Sequence, residues 1–159
     1  MGYTVEIVEF SDYNKPNEAL NDGQLDANYF QHNQYLAEGN ETNGTDLVSA
    51  GDIHFEPMGI YSDKITSLDE LEDGQHLTIS IPNDPTNGGR ALQLLAANGI
   101  ITLEEDLGIS ATPNDITDSP YDVDIIEMAA ETIPVNLSEV DLAISNGNNA
   151  LNANVLDQL

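Results

Sequence analysis

The chain has 159 residues, 40% of them hydrophobic, and sets 29 acidic residues against three basic ones, Lys15, Lys64 and Arg90. The formal net charge of −26 disfavours nucleic acid and anionic membranes as partners, because proteins bind both through Lys and Arg. The lack of cysteine excludes disulfides and thiolate metal sites, and the length predicts a folded chain of one-domain size with room for two small lobes at most.

The first third of the chain predicts a strand and a short helix. Residues 3–10 read YTVEIVEF, whose alternation and β-branched content are typical of a strand. Residues 11–24 predict a loop that leads into a short helix, because Pro16 suits a first helical turn and Gly23 suits the position after the last one. Residues 25–30, LDANYF, predict a second short extended run.

The middle of the chain predicts turns and further strands. The polar stretch that follows contains Gly39 and Gly44, which indicate turns. Residues 46–62 hold two apolar runs separated by polar and turn residues, a pattern that favours strands of a sheet. Ser67 and Glu70 have the spacing of a capping box, which predicts one helical turn.

The second half alternates strands and helices more clearly. Strands are predicted at residues 76–82, 121–128 and 140–145. Residues 83–99 predict a helix with a wide apolar face, and the stretch around Pro134 predicts a helix or turn interrupted by proline. This order predicts an α/β fold with a largely parallel sheet.

The sequence offers little catalytic chemistry. It has no G-x-S-x-G elbow and no Walker motif, and three histidines without cysteine leave no clear pair of nucleophile and base. Residues 114–124 are rich in oxygen ligands for calcium but lack a spaced loop with a central glycine. We therefore expect a protein that is not an enzyme and that has no cofactor and no metal site.

Membrane and targeting signals are absent from the sequence pattern. No apolar run approaches the roughly 18 residues that a membrane span needs. No basic region followed by an apolar one opens the chain, so we expect no signal peptide. The acidic balance is typical of a solubilising surface, as in salt-adapted or recharged proteins, and no EF-hand loop supports the alternative of calcium buffering.

Arg90 is the first candidate binding residue. It is the only arginine, and it follows Gly88 and Gly89 at the start of a predicted helix, where a cation opposes the helix dipole. Glycines there would expose backbone N–H groups to an anion, and a guanidinium in that place is typical of a clamp for a carboxylate. The alternative is a surface arginine paired with one of the many acids.

Two further stretches are candidates for binding. Residues 145–151, SNGNNAL, follow a predicted strand, where open α/β sheets bind their ligands, although a plain turn explains them equally well. Residues 27–35, ANYFQHNQY, hold three aromatic residues and a histidine. Composition alone leaves open whether this aromatic cluster is a hydrophobic core or the wall of a binding site.

Four segments taken together resemble one family, the methionine-binding lipoproteins of NlpA/MetQ type, which are substrate-binding components of methionine ABC importers. They occur in the same order and with similar spacing over nearly the whole chain. The segments are SDYNKPNEALNDGQLDANYFQHNQYL (11–36), HFEPMGIYS (54–62), IPNDPTNGGRALQLL (81–95) and VDLAISNGNNAL (140–151).

The resemblance implies a type II periplasmic-binding-protein fold, with two α/β lobes and a cleft between them that binds L- or D-methionine. It implies a first lobe formed by residues 1–62 plus 146–159 and a second lobe formed by residues 63–145. It also implies an extracytoplasmic protein anchored to the membrane as a lipoprotein, whose partner is the membrane component of an ABC importer.

The resemblance also assigns roles to individual residues. Arg90 matches the arginine that grips the α-carboxylate, and Asn146 matches an asparagine that holds the polar end of the amino acid. Tyr29 is expected to point away from its neighbours into the core. The residues that match the aromatic wall around the thioether are Tyr13, Phe30, His32 and Tyr35.

The sequence departs from the family pattern at both ends. Family members begin with a lipidated cysteine, a strand and a helix before the stretch equivalent to residues 3–10, and they continue with further elements after residues 146–151. The resemblance therefore implies a truncated first lobe, without signal peptide or lipidated cysteine, whose exposed sheet edges favour a homodimer. The alternative function is an engineered or divergent acidic fragment that keeps the fold with binding weakened or lost, acting as a scaffold or antigen.

Overall fold

The computed structural model describes residues 2–159, which divide into two compact units. The N-terminal unit extends to Asp52, and the C-terminal unit is Ile53–Leu159. Among the described residues no helix is both long and apolar enough to cross a membrane.

The N-terminal unit contains two helices, α1 (Lys15–Asn21) and α2 (Asn33–Asn43). Helix α1 confirms the predicted short helix, with proline in its first turn and Gly23 in the left-handed conformation (φ 72°) shortly after its end. Helix α2 was not predicted, because its sequence NQYLAEGNETN is polar and has no buried face. Gly44 ends it with φ 65°, so the turn predicted at this glycine is the end of a helix, whereas Gly39, also predicted as a turn, lies inside the helix.

The strand predicted at residues 3–10 is wrong. These residues carry no strand hydrogen bonding, and Tyr3, Val5 and Ile7 are 91%, 79% and 81% exposed. An alternating pattern supplies the two faces of a strand, but a strand also needs a neighbour with which to exchange backbone hydrogen bonds. No such neighbour lies beside this stretch within the described part of the chain.

Strands were predicted within residues 46–62, and the structure confirms one only near the end of that segment. Strand β1 is Met58–Tyr61, whereas Val48 and Phe55 are each 85% exposed and belong to no strand. Strand β1 forms because it finds a partner in the C-terminal unit, which the earlier apolar run of this segment does not.

The C-terminal unit is built on a four-stranded sheet in the order β1-β6-β2-β5. Its central strand β2 is parallel to β5 and β6, and β1 is antiparallel to β6. The largely parallel sheet and its three later strands confirm the prediction, whereas a small sheet of β3 and β4 was not predicted. The remaining strands and helices are β2 (His76–Pro82), α3 (Pro85–Ala97), β3 (Thr102–Leu103), β4 (Ile116–Asp118), β5 (Asp122–Met128), β6 (Leu142–Asn146) and α4 (Gly147–Asn152).

Short 3-10 helices fill several connections of this unit. The capping box is confirmed for the 3-10 helix Leu68–Glu70: the Ser67 hydroxyl accepts from the backbone N–H of Asp69 at 3.2 Å, and the Glu70 carboxylate accepts from the backbone N–H of Ser67 at 3.0 Å. The interrupted helix around Pro134 is also confirmed, as two 3-10 helices. These are Ala130–Thr132 and Pro134–Glu139, and the others are Gly108–Ser110, Pro113–Asp115 and Leu156–Gln158.

The sheet buries apolar side chains on both faces. On one face Leu77, Ile79 and Ile81 of β2 pack with Leu92 and Leu95 of α3, and all five are fully buried. The opposite face packs against the segments that follow β5 and β6. Its buried residues are Tyr61, Ile133, Leu137, Val140, Ala143 and Ala150.

The two units differ from the predicted lobes. Residues 53–62 and 146–159 were assigned to the first lobe, but in the structure they belong to the C-terminal unit. The reason is hydrogen bonding, since β1 pairs with β6 along its full length, with Met58 opposite Asn146 and Tyr61 opposite Ala143. The assignment of residues to the two lobes of a complete binding protein stays a prediction.

Candidate functional site

Asp84 caps helix α3 and is the first member of a polar cluster in the C-terminal unit. Its carboxylate accepts a hydrogen bond from the backbone N–H of Asn87 at 2.9 Å and from the hydroxyl of Thr86 at 3.1 Å. The side-chain amide of Asn87 donates to both carboxylate oxygens, at 3.0 and 3.1 Å. The Asp84 cap therefore fixes both the first turn of helix α3 and the side chain of Asn87.

The glycine pair of α3 does not cradle an anion, so that interpretation is wrong. Gly88 and Gly89 are buried, and the N–H of Gly88 already donates to the carbonyl of Asp84 at 2.8 Å. A Cβ on Gly89 would lie 1.8 Å from the carbonyl oxygen of Ile109. The glycines are there because the backbone of residues 108–110 packs directly against the helix.

Arg90 lies in the second turn of α3, one turn later than the sequence suggested. Its Nη1 donates to Oδ1 of Asn87 at 2.9 Å, and its Nη2 donates to the carbonyl oxygen of Glu56 at 3.1 Å. Within residues 2–159 no carboxylate lies within ion-pair distance of this guanidinium. The only arginine of a strongly acidic chain is thus held by neutral oxygen atoms, and the alternative of a surface ion pair is not what the structure has.

Asn146 ends strand β6 and is only 4% exposed. Its Nδ2 donates to Oδ1 of Asn87 at 3.0 Å, the same oxygen that accepts from Arg90. Its own Oδ1 is buried and has no hydrogen-bond partner among the described residues. The residues after it form helix α4 and not the plain turn that was the alternative.

Glu56 joins this polar set and was missed by the sequence reasoning. One carboxylate oxygen accepts from the backbone N–H of Asn148, the other lies 3.1 Å from Nε2 of His54, and its carbonyl accepts from Arg90. Asn87 was missed as well. The D-x-x-N spacing that starts at Asp84 was the available signal, because a capping residue reaches the backbone three positions on.

The aromatic residues of the N-terminal unit form a cluster around Tyr35. Its ring meets those of Tyr13, Phe30 and His32 edge to face, at centroid distances of 6.2, 6.2 and 6.1 Å. Tyr13 and Phe30 stack at 6.0 Å. The structure therefore brings together all four residues predicted as an aromatic wall, each of them half-buried.

Hydrogen bonds fix the geometry of this cluster. The hydroxyl of Tyr35 donates to the carbonyl oxygen of Tyr13 at 3.2 Å and lies 3.3 Å from Oδ1 of Asn14. Nδ1 of His32 accepts from the backbone N–H of Tyr35 at 3.1 Å, so the histidine caps helix α2. That contact requires Nδ1 without a proton, which leaves Nε2 as the protonated nitrogen of the neutral ring.

Tyr29 does not enter a core. Its side chain is 67% exposed, so the prediction that it points inward is wrong. The N-terminal unit offers no apolar interior to receive it, because only Pro16 and Ala19 of its described residues are buried.

Three amides tie the aromatic segment to helix α1. Asn17 and Gln31 exchange two side-chain hydrogen bonds, each of 2.8 Å, and Asn28 donates to Asn17 at 3.1 Å. Because hydrogen bonds between amides are directional, they fix the position of the backbone on both sides of Phe30 relative to helix α1.

Across residues 2–159, no group of three histidine or carboxylate side chains is placed to hold a metal ion. The candidate residues are amides, carboxylates and a guanidinium in the C-terminal unit, and aromatic rings with a histidine in the N-terminal unit.

The chain matches a known protein family along almost its whole length. The family described as NlpA lipoprotein matches residues 1–158. D-methionine-binding lipoprotein MetQ of Salmonella typhimurium is 44% identical over 144 residues, which are 91% of this chain and 52% of the relative. The chain thus spans about half the length of this curated relative.

Solved structures agree with the fold. A periplasmic substrate-binding protein of an ABC transporter from Coxiella burnetii has a TM-score of 0.90 and 45% identity, over 96% of this chain and 63% of that one. A nutrient-binding protein from Burkholderia cenocepacia, solved bound to methionine, has a TM-score of 0.90 and 43% identity, over 96% and 64% of the two chains. These likenesses confirm a fold of the periplasmic-binding-protein type, and the chain belongs to the NlpA lipoprotein family.

Proposed function

We propose that this chain binds methionine as part of a substrate-binding protein of an ABC importer. The observation that carries the proposal is the pair formed by Arg90 and Asn146 on the shared oxygen of Asn87. Arg90 has N–H groups beyond those used in its two hydrogen bonds, and Asn146 has a buried oxygen without a partner. A guanidinium suits an α-carboxylate, and an amide oxygen suits an α-ammonium group.

The aromatic cluster suits the other end of such a ligand. Thioether sulfur makes favourable contacts with the edges of aromatic rings. Tyr13, Phe30 and Tyr35 present half-buried rings with edge-to-face contacts, and His32 completes the set. We propose these four residues, with Arg90 and Asn146, as the ligand-binding residues.

The relatives support methionine as the ligand. One is named as binding D-methionine, and another was solved bound to methionine. We propose that this chain binds L-methionine, D-methionine or both, and that the whole protein delivers methionine to the membrane component of an importer as an extracytoplasmic lipoprotein.

Calorimetric titration with L- and D-methionine tests the proposal. We expect heat with at least one of them, and Arg90→Ala should remove it. A matched control is Lys64→Gln, which also removes one positive charge. Lys64 pairs with Asp141, the residue just before strand β6, and its substitution should leave the affinity for methionine unchanged. Folded protein that gives no heat with either form contradicts the proposal and favours the alternative of a fold without binding.

The aromatic contribution is tested by Phe30→Ala. Removing one ring should weaken methionine binding by roughly tenfold or less, since a sulfur–aromatic contact contributes about 0.3–1.5 kcal/mol. Arg90→Lys keeps the positive charge and is expected to keep some affinity. A double-mutant cycle of Phe30→Ala and Arg90→Lys then measures the coupling energy, which shows whether the aromatic and polar residues act on the same ligand molecule. An unchanged affinity for Phe30→Ala would remove the cluster from the site.

We also propose that residues 3–10 pair with a second copy of this chain. An antiparallel pairing centred on Val5 would place Tyr3 opposite Ile7, so that Tyr3, Val5 and Ile7 of both copies form one apolar patch on the ribbon. These side chains are among the most exposed apolar groups in the structure. Light scattering should report a dimer that Ile7→Lys converts to a monomer, and a monomeric unmodified protein would contradict the proposal.

A further inference from the structure

We infer that Asp84 and Asn87 are positioning residues: they form a hydrogen-bond relay that sets the direction of the Asn146 amide. The relay makes Asn146 present an acceptor, so the site takes a ligand group that carries N–H. The inference deepens the proposed function and rests on it for the identity of the ligand.

The first step of the relay is the carboxylate of Asp84. An ionised carboxylate accepts hydrogen bonds and cannot donate them. Because both of its oxygens face the side chain of Asn87, that side chain has to turn its NH₂ group toward Asp84. The direction of the Asn87 amide is therefore set by charge, although oxygen and nitrogen of an amide have nearly the same shape.

The second step is the oxygen of Asn87, which then points the other way. It accepts from Nη1 of Arg90 at 2.9 Å and from Nδ2 of Asn146 at 3.0 Å. An amide oxygen has two lone pairs, and these two donors use both. Asn87 is 2% exposed, so water does not compete for these contacts.

The third step is the direction of the Asn146 amide. Its NH₂ group has to face the oxygen of Asn87, because the reverse orientation would set two acceptors against each other. Its Oδ1 is then left buried and without a partner among the described residues. A buried acceptor in that state is stabilised by a donor from a ligand.

The relay thus gives the site a defined polarity. Arg90 offers donors and Asn146 offers an acceptor, and both are fixed by one oxygen atom. An amino acid, with a carboxylate beside an ammonium group, satisfies both. Its 2-oxo analogue carries an acceptor in place of the ammonium group and would leave the oxygen of Asn146 facing another oxygen.

Asp84→Asn tests the relay with little change in shape. Asparagine caps helices about as well as aspartate, so the helix start is retained. It can present either NH₂ or oxygen to Asn87, however, and the direction of the two following amides is no longer imposed. We expect the preference for methionine over its 2-oxo analogue, 4-methylthio-2-oxobutanoate, to fall about tenfold.

The matched control is Asp115→Asn. Asp115 also fixes the start of a short helix of the C-terminal unit: it is the third residue of that helix and accepts from the N–H and hydroxyl of the capping residue Thr112 at 2.7 and 2.8 Å. Its substitution should lower stability and leave the ligand preference unchanged. If Asp84→Asn lowers stability in the same way but keeps the full preference, the relay is overturned. Asp84→Ser, which keeps a capping oxygen, replaces it if Asp84→Asn does not fold.

Nuclear magnetic resonance decides the same question without a ligand. In the relay, the side-chain NH₂ groups of Asn87 and Asn146 are both hydrogen-bonded and buried. Asp84→Asn should shift their resonances and speed their exchange with water, whereas Asp115→Asn should not. Unchanged resonances in Asp84→Asn overturn the relay. If the unmodified protein binds neither compound, the proposed function fails and this measurement alone decides on the relay.

Discussion

The two units of the molecule are stabilised in different ways. The C-terminal unit buries apolar side chains on both faces of a sheet, with the largest of them fully inaccessible. The N-terminal unit buries only Pro16 and Ala19 among its described residues and depends on amide hydrogen bonds and aromatic contacts. A unit of about 50 residues with so small a core gains little free energy from burial.

The same sequence pattern has different outcomes in the two units. Residues 3–10 and strand β2 both alternate apolar and polar side chains. Strand β2 lies between β5 and β6 and exchanges hydrogen bonds with both, whereas the earlier segment pairs with no strand within residues 2–159. An alternating segment thus becomes a strand only where the fold supplies a partner.

The candidate binding residues divide in the same way. The polar set around Arg90 is attached to the core through α3 and β6, and the aromatic set is attached to two short helices by amides. We expect the polar set to be the more rigid of the two.

The largest effect is expected from Gly89→Ala, which attacks the core of the C-terminal unit. The added Cβ would overlap the backbone of Ile109, at 1.8 Å from its oxygen. Overpacking against backbone should exceed the roughly 1 kcal/mol that alanine gains in a helix, so the free energy of unfolding should fall by about 2–3 kcal/mol. Urea denaturation followed by circular dichroism measures it.

The control is Gly51→Ala, the same change in the N-terminal unit. A Cβ there meets no atom within 4 Å, and we expect a change of no more than about 0.5 kcal/mol. Equal effects at the two glycines would contradict the difference in packing between the units.

A smaller effect is expected from Asp141→Asn, which acts on the sheet through charge. Burial raises the pKa of Asp141, but hydrogen bonds from Lys64 at 2.9 Å and from the N–H of Thr78 at 2.8 Å outweigh it, so the pKa lies below its ordinary 3.8. A carboxyl whose pKa is lowered by folding contributes stability above its unfolded pKa and loses it as pH falls through the folded one.

The variant should therefore be less stable than the unmodified protein by about 1 kcal/mol at pH 7, and the difference should decrease as pH falls through the lowered pKa of Asp141. Urea denaturation over a series from neutral to acidic pH measures this. Asp124→Asn, on the exposed side of strand β5, is the control and should leave the stability at neutral pH unchanged. A difference that persists unchanged at low pH would contradict the role of charge.

The smallest and most local effect is expected from Asn17→Ala in the N-terminal unit. It removes three side-chain hydrogen bonds: the one that Asn17 donates to Gln31, and the two that Asn17 accepts from Gln31 and Asn28. Alanine favours the helix, so the net loss should be about 1 kcal/mol or less. Hydrogen exchange should quicken in α2 and leave strand β2 unchanged.

Asn21→Ala, on the same helix and exposed, is the control and should change neither. If exchange in β2 quickens as much as in α2 for Asn17→Ala, the two units unfold together, which contradicts their separate stabilisation.

Much of the regular secondary structure was predictable because its signals are local. Proline and glycine at the ends of α1 and α3, the capping box at Ser67 and the apolar alternation of β2 each carry their physical cause within a few residues. Helix α2 was not predictable in this way. Its polar sequence has no buried face, and its cap is a histidine, which is an uncommon capping residue.

The candidate site was predictable in its residue types and not in its connections. A single arginine in a strongly acidic chain indicates a bound carboxylate, and clustered aromatic residues indicate either a core or a binding wall. That Arg90 and Asn146 share one oxygen of Asn87 depends on two residues 59 positions apart in the chain, Asn87 and Asn146. No local pattern encodes a contact of that kind.

The charge, the ends of α1 and α3, the alternating segments and the resemblance to a family follow from residue identity and short spacing, so they could be read from the chain alone. The tertiary structure was needed to show which alternating segment becomes a strand, that the glycine pair packs against backbone, and that Tyr29 stays exposed. It also decided the direction of the Asn146 amide. These depend on which atoms distant segments bring into contact, and hydrogen bonding and burial act only where that contact is made.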